Sequence, residues 1–222
     1  MKIVVIGASS GLGAAIAVLH ARRGDEVVAT GRRVVRLASF FDEAATVSLL
    51  QNDLLMTDAV DKLEAPCLSA EIVYFCAAII DPAPTDEIMR VNFEAFVELA
   101  KRIDGPNMTI VAISSLAAVI PFDELPVYCA SKAALEAWIA SSRAASEACY
   151  VLIRPGQFTS ELFGRRDQLA LDTLPLELAF SIIEKVKRRC EVVNLGGPRD
   201  RIAVFLGPVL GGRRARRLVL GF

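Results

Sequence analysis

Histidine is almost missing from this chain, with His20 the only one. A histidine-based triad or a multi-histidine centre has nothing to be built from, so no bound metal is expected. The five cysteines, at 67, 76, 129, 149 and 190, contain no Cys-x-x-Cys pair. An odd, scattered set argues against both a disulfide framework and a zinc site, and suits reduced, mostly buried thiols. Long apolar runs are lacking too, since none approaches the ~18 to 20 residues that span a bilayer. The first strand-like run starts at Lys2, which leaves no room for a signal peptide, and a cytoplasmic protein is expected. Neither sign of charge dominates, with 25 basic and 26 acidic side chains. That balance gives no support for nucleic-acid binding.

What is present is apolar residue in abundance, 54% of 222 positions, enough for one large core and one domain. After Lys2-Ile3-Val4-Val5-Ile6, apolar β-rich runs fall at 26–29, 46–50, 72–76, 108–113, 149–153 and 191–195. Helical segments alternate with them at about 13–22, 33–41, 57–64, 85–103, 126–146 and 175–189. Strand and helix in turn predict an α/β fold, a doubly wound parallel sheet in a three-layer α/β/α arrangement, with ligands beyond the carboxyl ends of the strands. No repeat, low-complexity segment or interdomain linker interrupts the pattern.

The turn after the first strand is Gly7-Ala8-Ser9-Ser10-Gly11-Leu12-Gly13, and an alanine-rich helix follows. Glycines there let the backbone turn tightly and approach a pyrophosphate, which free N–H groups and the helix dipole then meet. A glycine-rich loop alone is weak; one set between a strand and a helix has the context that a dinucleotide site requires.

A second constellation is Tyr128 and Lys132, four residues apart and so on one helical face. An unperturbed tyrosine titrates near ~10, and a neighbouring ammonium is expected to make its phenol a better acid. Thirteen residues earlier, Ser114-Ser115 ends an apolar run, where a hydroxyl could hold a substrate oxygen.

With these motifs in order, the chain resembles the short-chain dehydrogenase/reductase family of the compact, single-domain type, whose sheet is a Rossmann fold. Gly7, Gly11 and Gly13, Asn52-Asp53-Leu54, Asn92, Ser115, Tyr128, Lys132 and Arg154-Pro155-Gly156 carry the likeness. The resemblance implies Asn92, Ser115, Tyr128 and Lys132 as catalytic residues: Tyr128 as general acid, Ser115 on the same substrate oxygen, Lys132 on the nicotinamide ribose, and Asn92 keeping a water that passes protons to Lys132. It also implies cofactor contacts from the loop (Gly7, Ser9, Ser10, Gly11, Leu12, Gly13), from Asp53 and Leu54 beside the adenine, and from Ala77, Ala78, Pro155, Gly156 and Thr159. Thr159 serves equally well as a helix N-cap. The pattern departs at Cys76-Ala77-Ala78, where the family usually has Asn-Ala-Gly. The change removes an amide that braces the central sheet.

The cofactor is argued from Ala29-Thr30-Gly31-Arg32-Arg33, where an NAD-selective protein offers a carboxylate to the ribose. No acid is present, and an arginine fork suits a 2′-phosphate, so NADP(H) is favoured over NAD(H), with Arg32 as the main contact and Thr30 or Arg33 assisting. The expected activity is that of a carbonyl reductase, interconverting a ketone or aldehyde and its alcohol. A non-catalytic NADP-binding sensor or scaffold is the alternative from a different class. A nucleotide-sugar epimerase would need a larger carboxyl-terminal domain.

Phe158, Leu162 and Phe163, within the substrate-covering segment 157–174, together with Ile120, Pro121 and Phe122, suggest an apolar carbonyl or alcohol substrate. Arg165-Arg166 could instead meet an acidic group. Residues 1–150 carry 12 basic and 19 acidic side chains, and 151–222 carry 13 and 7. The basic, apolar end 198–222, with Arg213-Arg214-Ala215-Arg216-Arg217, could touch an anionic membrane surface, but an amphipathic lid or solvated terminus is the simpler reading. Helix 126–146 is apolar around most of its girth and is expected to be buried, and the family resemblance implies that with helix 85–103 it forms the interface of a homodimer or homotetramer.

Overall fold

The computed structural model describes residues 1–41, 46–155, 175–187, 192–195, 198, 202, 204 and 205. Seven strands, β1 (Lys2–Ile6), β2 (Glu26–Gly31), β3 (Val47–Gln51), β4 (Ile72–Phe75), β5 (Thr109–Ile113), β6 (Cys149–Arg154) and β7 (Val192–Asn194), form one sheet in the order β3-β2-β1-β4-β5-β6-β7. All pairs are parallel, with Val4 opposite Val28 on one side and Val73 on the other. Both faces of a parallel sheet must be covered, which explains the unbroken apolar runs. The helices are α1 (Gly11–Arg22), α2 (Ala59–Leu68), α3 (Thr85–Met89), α4 (Ala95–Arg102), α5 (Pro126–Ser142) and α6 (Leu176–Lys187). No helix among the described residues is long and apolar enough to cross a membrane.

Strand periodicity divides the core in two. Ile3 and Val5 of β1 join Ile16 of α1 and Ile182 of α6 on one face, while Val4 and Ile6 join Leu63, Phe96 and Leu135 on the other. On that second face Phe96 meets Phe75 and Trp138 edge-on, 5.4 and 5.7 Å between ring centres. The strand order reverses between β1 and β4, so a crevice opens beyond their carboxyl ends.

Three helical expectations change in the structure. The segment expected as one helix over 85–103 contains a π-helical stretch, Arg90–Glu94, between α3 and α4, and that stretch holds Asn92. The segment after β2 winds as a 3₁₀ helix, Val34–Phe40. Helix α5 ends at Ser142, and its burial is one-sided: Leu135 and Ile139 are buried, but Ala130, Ala133, Ala137 and Ala140 are exposed. Apolar residues around a helix's whole girth do not bury it when the sheet can cover only one side.

His20 is fully buried. Its Nδ1 donates to Asp25 at 2.7 Å, and its Nε2 accepts from the Tyr74 hydroxyl at 3.1 Å, the arrangement that an ionised Asp25 requires. Burial lowers the histidine's pKa although Asp25 pulls it upward. Burial also pushes Asp25 up, but hydrogen bonds from His20 and the amino terminus outweigh it and leave the carboxyl lowered. Both folded values lie below the unfolded ones, so the stabilisation is complete above pH 6.5 and is lost as pH falls, first through His20 and then, below 3.8, through Asp25. Urea midpoints should drop between pH 6.5 and 4.5, and His20→Gln should flatten that limb; equal slopes in the two proteins would contradict this.

Candidate active site

The glycine turn is held by backbone. Gly7 and Ala8 both donate to the Thr30 carbonyl, at 2.9 and 2.8 Å, which ties the end of β1 to the end of β2. Gly7 has φ +85, and a Cβ there would lie 2.5 Å from the Ala77 nitrogen. A Cβ on Gly13 would lie 2.4 Å from the Gly7 carbonyl oxygen. These glycines thus let β1, α1 and the end of β4 close together. The Ser9 hydroxyl accepts from the Arg33 N–H at 3.1 Å, locking the loop to the chain after β2. Ser10 leaves α1 without a side-chain cap, so the first N–H groups of the helix face the crevice as an anion site.

One cleft of about 1160 Å³ runs from this turn across the carboxyl ends of the strands. Of the expected cofactor contacts, Gly7, Ser9, Ser10, Gly11, Leu12, Gly13, Thr30, Arg32, Arg33, Asp53, Leu54, Ala77, Ala78, Tyr128, Lys132 and Pro155 line it. Gly156 and Thr159 lie outside the described residues, as do Phe158, Leu162, Phe163, Arg165-Arg166 and Arg213–Arg217. Arg32 and Arg33 are exposed at the mouth. Asn52, in the cleft wall, donates to the Ala59 carbonyl at 3.0 Å, while its Oδ1 is buried without a partner among the described residues. Asp53 accepts from the Leu55 N–H at 3.1 Å, closing a turn ahead of α2 rather than capping the helix, whose N-cap is Asp58. An uncapped helix start, a close-packed glycine turn, paired arginines and a spare amide acceptor fit an adenine dinucleotide.

At the other end of the cleft, Asp81 accepts from the Tyr128 N–H at 3.1 Å and so caps the first turn of α5. Tyr128 is buried beneath Ser115, whose oxygen also accepts from the Ala117 N–H. Lys132 is 3% exposed, and its Nζ donates to the Ile113 carbonyl at 2.9 Å. The ammonium stands 5.8 Å from the centre of the Tyr128 ring. Here the structure corrects the expected acidification. Burial raises the Tyr128 phenol, and the opposing influence is a hydrogen bond from Ser115, not the lysine. Burial also pushes Lys132 down to about 8. Both groups lose water on the same helix face, and the amine engages a carbonyl instead of the phenol oxygen.

Asn92 is fully buried. Its Oδ1 accepts from the Ile79 N–H at 2.7 Å, and its Nδ2 donates to the Ile79 carbonyl at 2.8 Å and to the Ser131 hydroxyl at 2.9 Å. The side chain therefore braces the loop after β4 against α5. Cys76, in the family's Asn position, has its thiol pushed up to about 12 by burial, and its N–H donates to the Ile6 carbonyl at 2.8 Å. Backbone pairing and the Asn92 clamp brace this strand end in place of the missing amide. Ser114 is structural, its hydroxyl donating to Glu136. On the substrate side, Phe122 lines the cleft, whereas Ile120 is wholly buried elsewhere and Pro121 points outward. Ile79, Ile80, Pro82, Leu116 and Leu125 join it. These loop residues carry no pattern in sequence, but Glu136 was visible as a carboxylate one turn beyond Lys132.

The sequence matches the model of the short chain dehydrogenase family over residues 1–167. The chain belongs to the short-chain dehydrogenase/reductase family. As a member it is an oxidoreductase with a single Rossmann-type α/β domain. It is 28% identical over 222 aligned residues to a hydroxysteroid 11-beta-dehydrogenase 1-like protein of Xenopus tropicalis, covering 90% of this chain and 77% of the relative. It is 31% identical to an L-xylulose reductase of Caenorhabditis elegans over 61% of each chain. The fold superposes on a short-chain dehydrogenase of Sphingobium yanoikuyae in complex with NADPH, with TM-score 0.77, 23% identity and coverage of 96% and 94%. It also superposes on a Burkholderia phymatum member in complex with NAD, with TM-score 0.76, 18% identity and coverage of 92% and 91%. Dehydrogenases of this fold thus include one seen with each nicotinamide cofactor.

Proposed function

We propose that this short-chain dehydrogenase is an NADP(H)-dependent carbonyl reductase, interconverting an apolar ketone or aldehyde and its alcohol with Tyr128 as general acid and base. The observation that carries this reading is a single cleft joining the uncapped start of α1 to Tyr128, Ser115 and Lys132. The glycine turn and the N-terminus of α1 hold the pyrophosphate, Asp53 and Leu54 flank the adenine, and Arg32 with Arg33 and Thr30 takes the 2′-phosphate. Ala77, Ala78, Pro155, Gly156 and Thr159 complete the cofactor contacts. When bound, the nicotinamide supplies or accepts hydride. Tyr128 gives its proton to the carbonyl oxygen while Ser115 hydrogen-bonds the same atom and steadies its developing charge. Lys132 holds the ribose, and Asn92 keeps the loop and helix in register.

Ile79, Ile80, Phe122 and Leu125 form the substrate walls and favour an apolar group beside the carbonyl. The exposed alanine face of α5 suits a homodimer or homotetramer. A panel of apolar and charged ketones and aldehydes, offered with NADPH and NADH and followed at the nicotinamide absorbance, tests the reading. Turnover of neutral apolar carbonyls with NADPH supports it, and no turnover anywhere in the panel counts against it. Arg32→Ala should weaken NADPH binding by about tenfold or more and leave NADH nearly unchanged. Equal losses for the two cofactors would remove the phosphate assignment.

A further inference from the structure

Glu136 lies one turn beyond Lys132 on α5 and does not itself line the cleft, yet three hydrogen bonds from two residues hold it. Its Oε1 accepts from Arg154 Nε at 2.8 Å and from the Ser114 hydroxyl, and its Oε2 accepts from Arg154 Nη2. Arg154 also donates to Asn194 on β7 at 3.4 Å. The side chains of the pair are only 15% and 11% exposed. Such a buried pair is weak grounds for stability, since apolar replacements of similar volume often do as well. Its placement is more telling: Ser114 precedes Ser115, Arg154 precedes Pro155, and Glu136 shares the helix of Tyr128 and Lys132.

We propose that Glu136, clamped by Arg154 and Ser114, is a positioning residue that keeps the Lys132 ammonium charged and fixes the ends of β5 and β6 against α5. The inference rests on the role of Lys132 in the proposed function. A buried lysine favours its neutral form unless an anion lies near. Among the described residues, the ionisable groups that face it are Cys76 from the end of β4 and Tyr128 and Glu136 on its own helix, with the Arg154 guanidinium on the far side of Glu136. The Cys76 thiol is pushed up to about 12 by burial and is uncharged at neutral pH, and burial likewise keeps the Tyr128 phenol neutral. Glu136 is left as the carboxylate that opposes desolvation of the amine, and the arginine fork fixes where that charge points.

Lysine-selective NMR of the full chain, with the Lys132 signal assigned through Lys132→Arg, reads the titration midpoint directly. Glu136→Gln keeps the size and acceptor of the side chain but removes its charge. The midpoint should fall by roughly one pH unit, and Glu136→Asp should recover at least half of that shift. Should the lone Gln variant fail to fold because Arg154 loses its partner, the double variant E136Q/R154Q leaves no unpaired charge and should show a smaller fall of the same sign, because the more distant guanidinium is removed as well. A Lys132 midpoint that stays at its wild-type value in a folded charge-free variant overturns the proposal, whatever happens to stability. The alkaline limb of turnover should move down with the midpoint. A chain that turns over no carbonyl would defeat the proposed function, while the NMR midpoint would still decide the role of Glu136.

Discussion

Replacing Tyr128 by Phe should abolish carbonyl turnover, by ~10² to 10⁴-fold or more, while NADPH binds within a few-fold of wild type. The substitution removes one oxygen from a side chain that is buried under Ser115 and packed with Ala117 and Phe122. The ring can keep its place, so the loss reports on the proton and not on the fold. Cofactor binding should persist because the glycine turn, Arg32 and Asp53 lie at the other end of the cleft. Single-turnover hydride transfer and NADPH fluorescence titration separate the two quantities. A Phe variant with near-normal turnover would end the general-acid assignment, and one that loses NADPH as well would place the phenol's role in binding.

Gly7→Ala should be among the most destabilising single-methyl additions possible in this chain. The new Cβ would sit 2.5 Å from the Ala77 nitrogen and 2.6 Å from its Cα, at φ +85. Those atoms are backbone at the end of β4, paired with β1 through Cys76 N–H, and cannot turn aside as a side-chain tip could. Left-handed strain and overpacking together should cost about 2–4 kcal/mol, and the displaced strand end should also weaken NADPH binding. Gly24→Ala is the internal comparison, because φ is +79 there but nothing lies within 4 Å of the added carbon. It should cost only about 1 kcal/mol. Urea midpoints for the two variants measure the difference, and equal losses would show that conformation alone, not close packing, accounts for Gly7.

The fold was legible because its signals are local. Buried parallel strands show as continuous apolar runs, and all seven of the expected strands appear within about a residue or two of their predicted bounds. The glycine turn and the Tyr128/Lys132 spacing were legible for the same reason, since a turn's backbone and a helix's one-turn spacing involve only near neighbours. What could not be read was the interior of the 85–103 segment. A π-helical stretch forms there while Asn92 reaches across to Ile79 and Ser131, partners 13 and 39 positions away. The same holds for His20, whose partner Tyr74 is 54 positions distant. An isolated histidine in a helix does not announce a buried hydrogen-bonded pair.

From sequence alone came the order of strands and helices, the glycine turn between β1 and α1 and the one-turn spacing of Tyr128 and Lys132, because these follow from chain-local conformation and spacing. Only the tertiary structure decided the electrical state of the site. Burial sets it, raising Tyr128, pushing Lys132 down to about 8 and Cys76 up to about 12, and bringing Glu136 and Arg154 together from helix and strand. Desolvation and charge pairing depend on which distant segments exclude water from a group, and that is a property of the packed molecule.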